Sequence, residues 1–202
     1  MQMSMSKGDQ TRQSILAQSA QVFSVHGYFG TSMEDLTRAT GLTKGGIYHH
    51  FGSKEELALE AFDFAVELLT ARLKEMLHGT QDPAMRLLIF INLFRSLIED
   101  PLLKGGCPIL NAATEVDDTN PTLCQRVQQR LMGLREFVIQ TVQRGQEQGN
   151  LRLDTTPDTV ATVIIATVEG AIMMSKLYSD THFLDQAVDH LTAYIESLKK
   201  AA

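Results

Sequence analysis

The chain has 202 residues, enough for one domain of ordinary size or two small ones around a real core. Hydrophobic residues at 44% and charged residues at 21% exclude a disordered polymer, and two cysteines, Cys107 and Cys124, give no disulfide framework. The net charge of −6 speaks at first against a polyanionic partner. Residues 7–57, however, balance Lys7, Arg12, Arg38, Lys44 and Lys54 against Asp9, Glu34, Asp35, Glu55 and Glu56, so the deficit lies wholly outside that window.

The start, MQMSMSKGDQ, has no apolar run of the secretory kind, and residues 1–10 read as a disordered lead. From about Thr11 to His26, Ile15, Ser19, Val22, Phe23 and His26 share a helical face, which Gly27 ends. Thr31 or Ser32 caps a short second helix, with Glu34 and Asp35 placed to complete a capping box. Gly41 stops it, Thr43 caps a third, and Ile47 and Phe51 are expected to face inward on that helix. Ser53 with Glu56 opens a long fourth helix reaching about His78.

Further helices are expected over Ala84 to Ile98, Cys107 to about Val116, Pro121 to Gln148, Pro157 to about Tyr178, and His182 to Leu198. Period-2 alternation is nearly absent. The expected fold is therefore all-α, with about nine helices. A lead of 1–10, a helix-turn-helix domain over 11–54 and a helical domain over 55–202 make up the expected organisation. The stretch Val160 to Tyr178 is the most apolar, but Thr162, Thr167, Glu169, Ser175 and Lys176 break it, so no membrane span is expected and the cytoplasm is the expected location.

The second and third helices, joined at Gly41-Leu42, form a helix-turn-helix, whose second member enters the major groove of DNA. Gly45 and Gly46 cost helix stability but clear side chains from where the backbone must approach phosphate. Thr43 and Tyr48 offer hydroxyls, and Lys44, His49, His50 and Lys54 offer N–H donors to phosphate or bases. Adjacent histidines on a helix diverge by about 100°, so His49 and His50 are not expected to share a metal.

In these residues the chain resembles the TetR family of bacterial transcriptional repressors. The matching stretches are "ILAQSAQVFSVHGYFGTSMEDL" and "ATGLTKGGIYHHFGSKEEL", with Gly27-Tyr28, Thr31-Ser32, the aromatic rings from Tyr48 on, and Phe51 ahead of Lys54. The resemblance implies that Thr31, Thr43, Tyr48, His50 and Lys54 touch phosphates, and that Lys44, Gly45 and His49 lie near base edges. Ser32 and Gly46 complete the set. It also implies a homodimer on double-stranded operator DNA, built through the last two helices, and release of a palindromic operator when a small molecule binds.

Helix 157–178 is apolar nearly all round and the last helix carries a seam, so burial from two sides is expected. Dimer-interface candidates are Val160, Val163, Ile164, Ala171, Met174, Leu184, Val188, Leu191 and Ile195; the alternative is burial within one chain. Polar residues stranded among apolar ones mark a ligand pocket: Asn111 and Glu115 (i, i+4), and Glu169 near Met173, with Phe62, Phe90 and Phe94 as walls. Alternatively, the two glutamates pair with arginines such as Arg126 or Arg130. Cys107 is either an inert buried thiol or a redox-sensing one in that pocket. An enzyme built on Cys107 would need a base; His78, His182 and His190 exist, but no nucleophile motif surrounds the cysteine. Neither an enzyme nor a cofactor is expected. The remaining alternatives are an activator of the same fold and a helical scaffold without DNA binding.

Overall fold

The computed structural model describes residues 6–99, 101–116 and 120–200. Among them are nine α-helices and no strand beyond an isolated bridge between Leu151 and Lys199. Backbone contacts divide the chain into two compact units. One comprises the chain as far as Leu68 together with Leu103–Val127; the other comprises Leu69–Leu102 and the residues from Gln128 onward.

In the first unit α1 spans Lys7–His26, four residues earlier than the apolar periodicity begins. Ser6 accounts for the difference. Its hydroxyl accepts from the Asp9 amide at 3.2 Å while the Asp9 carboxylate accepts from the Ser6 amide, a capping box that satisfies two otherwise orphaned donors. Residues 7–10 are thus helix, which corrects the expected lead over 1–10; residues 1–5 lie outside the described residues. Helix α2 (Met33–Thr40) is capped by Ser32 with Asp35 and ended by a left-handed Gly41. Helix α3 is a short Lys44–Tyr48, so Phe51 falls past its end; its amide still bonds the Ile47 carbonyl at 3.1 Å and its ring is buried. Helix α4 spans Lys54–Met76, with the Ser53 hydroxyl accepting from the Glu56 amide and the Glu56 carboxylate reaching back to the Gly52 amide at 2.8 Å.

Ile15, Phe23, Leu36, Ile47, Phe51, Leu57 and Phe62 form this unit's core. The Tyr28 ring stacks on Phe23 at 5.2 Å and meets Phe62 edge-on at 6.2 Å. Arg12 bonds the Glu60 carboxylate at 2.6 Å and lies over the Phe51 ring, tying α1 to α4. Helix α6 (Pro108–Val116) belongs here too, as do the first residues of α7 (Pro121–Glu147).

The second unit contains α5 (Pro83–Glu99), most of α7, α8 (Pro157–Tyr178) and α9 (His182–Ser197). Asp100, which follows α5 in sequence, lies outside the described residues. Pro157 sits at the first position of α8, as its lack of an N–H favours, but Thr156 makes no side-chain cap. Phe90 packs on Phe94 at 5.3 Å and on Phe137 at 5.4 Å, and α8 packs on both α5 and α9. The hydroxyl of Ser175, buried on α8, accepts from the Leu184 amide at 3.1 Å, fixing the α8–α9 corner. Helix α8 is long and apolar enough by length and composition to cross a membrane. Its inner face is nevertheless committed to α5 and α9.

Candidate nucleic-acid interface

Helix α3 owes its position to one buried residue. Ile47 goes into the core, and at 3.6 residues per turn this turns Gly45 and His49 to the opposite side, while Lys44 and Tyr48, on the flanks, are exposed as well. The Thr43 hydroxyl accepts from the Gly46 amide at 3.1 Å, so it serves first as the cap of α3. A Cβ built on Gly45 would meet nothing within 4 Å, and one on Gly46 only ordinary contacts with Thr43 and Leu42. The glycines therefore answer no crowding inside the chain. The Lys44 ammonium lies 5.8 Å from the Tyr48 ring centre, and the His49 and His50 rings stand edge to face at 5.3 Å. Lys54, half-buried, opens α4 beside them in sequence.

An open depression of about 680 Å³ runs along this face, lined by Glu34, Thr37, Arg38, Gly41, Leu42, Thr43 and Lys44. Thr37 and Arg38 are additions to the sequence-derived set. Their signal was a cation in the last turn of α2, one turn before the Gly41 stop, where a base also complements the helix dipole. Two expected contacts are corrected. Thr31 is buried and its hydroxyl donates to the Gly27 carbonyl at 2.6 Å, so it holds the α1–α2 turn instead of facing phosphate. Ser32 is exposed, but its hydroxyl is engaged with Asp35 at 2.6 Å as the α2 cap. The hydrogen bond from Ser32 is also the main reason the Asp35 carboxyl sits below its ordinary range.

Residues 15–61 match the sequence model described as bacterial regulatory proteins, tetR family, and residues 83–191 match the one described as tetracyclin repressor-like, C-terminal domain. The chain is 32% identical over 192 residues to the HTH-type transcriptional repressor DhaR of Mycobacterium sp. strain GP1, covering 93% of this chain and 91% of that protein. The chain belongs to the TetR family. A TetR transcriptional regulator from Chloroflexus aurantiacus superposes with a TM-score of 0.93 at 44% identity, covering 98% of this chain and 100% of that one. A TetR-family regulator from Cytophaga hutchinsonii does so at 0.90 and 31%, covering 99% and 100%. The protein is thus a DNA-binding transcriptional regulator of a family in which ligand-responsive repression is typical. TetR-family regulators act on operator DNA as dimers.

The sequence-derived effector pocket of this TetR-family chain does not assemble within either unit. Phe62, Cys107, Asn111 and Glu115 belong to the first, and Phe90, Phe94, Glu169 and Met173 to the second. The three phenylalanines and Cys107 are fully buried, whereas Met173 is 55% exposed on α8. Asn111 and Glu115 do share a face, but that face serves backbone groups. Asn111 Nδ2 donates to the Gly105 carbonyl at 2.8 Å and the Ser24 carbonyl at 3.3 Å, and the Glu115 carboxylate accepts from the Tyr28 and Phe29 amides. Arg126 pairs with Asp63. Burial, with the carboxylates of Glu115 and Asp63 nearby, pushes the Tyr28 phenol well above its ordinary range. The Glu169 carboxylate oxygens are buried on α8.

The dimer candidates are corrected as well. Val160, Ile164, Ala171, Leu184, Val188, Leu191 and Ile195 are buried inside the chain's own second unit, because they form the α5–α8–α9 core. Only Val163 and Met174 of the set are exposed. With Ala166, Met173 and Leu177 they form a stripe at helical spacing on the outer face of α8, where Leu177 is 73% exposed.

Proposed function

We propose that this chain is a homodimeric repressor that binds an imperfect palindrome through α3 and leaves it when a small, largely hydrophobic effector binds. The observation that carries the reading is the outward set Lys44, Tyr48 and His49 around Gly45-Gly46, whose missing side chains leave open space that nothing inside the chain requires. Lys44 and His49 read base edges, while Thr43, Tyr48, His50 and Lys54 hold phosphates. Residues 11–54 are the reading head. The remainder, 55–202, carries the effector site, with Glu169 as its polar contact, and the dimer contact through the Val163, Ala166, Met173, Met174 and Leu177 stripe.

A twofold dimer sets two heads at the spacing of successive major grooves, so an effector that alters the spacing disfavours DNA. Linkage then requires the effector to bind the operator complex more weakly, typically by about 1–3 kcal/mol. The test selects duplexes from a random pool with the purified protein, then measures a Lys44→Ala, Tyr48→Ala, Lys54→Ala triple variant on the winning sequence. Loss of binding by a folded variant is expected. Undiminished binding refutes the assignment.

A further inference from the structure

The last turns of α1 are held by a row of polar contacts from Lys104 to Glu115. Gln21 and Lys104 exchange hydrogen bonds, Lys104 N donating to Gln21 Oε1 at 3.1 Å and Gln21 Nε2 to the Lys104 carbonyl at 3.4 Å. Asn111 takes the Ser24 carbonyl, and Gly105 lies so close to that carbonyl that any side chain there would strike it. At the end of the row Glu115 Oε2 accepts from both the Tyr28 amide at 2.8 Å and the Phe29 amide at 3.1 Å. Gly27 makes room for it. Its φ of 80° and ψ of 165° suit glycine alone, and a Cβ there would lie 2.6 Å from Glu115 Oε1.

A carboxylate beside a helix C-terminus opposes the helix dipole, so this placement has an electrostatic cost. Two charge-assisted bonds to backbone amides more than offset it. The amides concerned lie in the turn that sets how α2, and with it α3, leaves α1. The chain also reaches Leu103–Val127 directly from the second unit at Leu102 and returns to it at Gln128.

Resting on the DNA-reading assignment above, we propose that Glu115 is a positioning residue: it straps α6 to the Gly27–Phe29 turn, so that operator occupancy at α3 and the state of α6 are one linked equilibrium. The experiment uses the full chain and a duplex selected by the unmodified protein, following amide hydrogen exchange in peptides over α3, the Gly27 turn and α6. In the unmodified protein the duplex slows exchange in α3 by contact and in α6 by linkage. In free Glu115→Ala the turn amides exchange at least about tenfold faster. Added duplex still protects α3 in that variant, but the α6 response is lost. Glu115→Gln, whose amide oxygen can take the Oε2 position, restores it. Glu115→Asp, one methylene short of the turn, repeats the loss if the alanine variant does not fold. A carboxylate that only stabilised the fold would lower the melting temperature and leave the α6 response intact, and that result overturns the proposal. So does an unmodified protein in which the duplex protects α3 and leaves α6 unchanged. Absence of protection at α3 as well overturns the DNA assignment, and the strap with it.

Discussion

Replacing Gly45 and Gly46 by alanine should stabilise the free protein and cripple it on DNA. Neither glycine has a positive φ, a Cβ at Gly45 meets nothing within 4 Å, and one at Gly46 meets Thr43 Oγ1 at 3.4 Å and Leu42 at 3.6 Å. Removing the glycine entropy penalty is worth about 0.5–1 kcal/mol at each position, so about 1–2 kcal/mol for the pair. At about 2–4 °C per kcal/mol for a chain of this size, melting should rise by about 2–8 °C. On the operator the added methyls hold the start of α3 away from phosphate. Losing one charge-assisted amide contact in each of two heads costs about 3–6 kcal/mol, on the order of a hundredfold to ten-thousandfold in affinity. Thermal melts and titration of a labelled duplex at fixed salt measure both effects. A lower melting temperature would mean the glycines serve packing. Higher melting with undiminished binding would mean close approach is not their purpose.

Leu177, 73% exposed on the outer stripe of α8, is worth about 1–2 kcal/mol on burial in a twofold contact, counted once from each copy. Leu177→Ala should therefore weaken dimerisation by about 2–4 kcal/mol, on the order of thirtyfold to a thousandfold, in sedimentation across a concentration series; an unchanged dimer refutes the stripe. Lys54→Ala should weaken binding to all duplexes alike and lower the slope of log affinity against log salt by about one phosphate contact. Asp35, held below its ordinary pKa first by the Ser32 hydroxyl, contributes stability that is complete above the unfolded value and is lost as pH falls through the folded one. Melting of the native chain should accordingly exceed that of Asp35→Asn by a constant margin above about pH 5, with the gap closing below about pH 4.

Much of the fold was legible because its stops are single residues. Gly27, Gly41 and Gly149 end helices and Pro83, Pro121 and Pro157 begin them, so boundaries fell within a few residues of expectation. The start of α1 was missed because Ser6 and Asp9 form a cap with no apolar period behind them. On α8 and α9, periodicity identified apolar residues but not what covers them, so Leu184 and Ile195 looked like interface and are core. Asn111 and Glu115 were correctly paired on one face, yet their partners are main-chain groups of α1, which no side-chain pattern announces. Thr31 misled for the same reason, its acceptor being the Gly27 carbonyl.

The allotment of Leu103–Val127 to the unit that reads DNA bears on how such genes can recombine. A hybrid regulator made by joining one protein's first 68 residues to another's remainder would carry a foreign α6 against its own Gly27 turn, with no assurance of a carboxylate at the right height. A graft that moves residues 103–127 along with the head keeps Asn111 and Glu115 with the α1 that they bind. The compact unit that holds the helix-turn-helix is thus inherited in two separate pieces of sequence, and shuffling at a single crossover separates them.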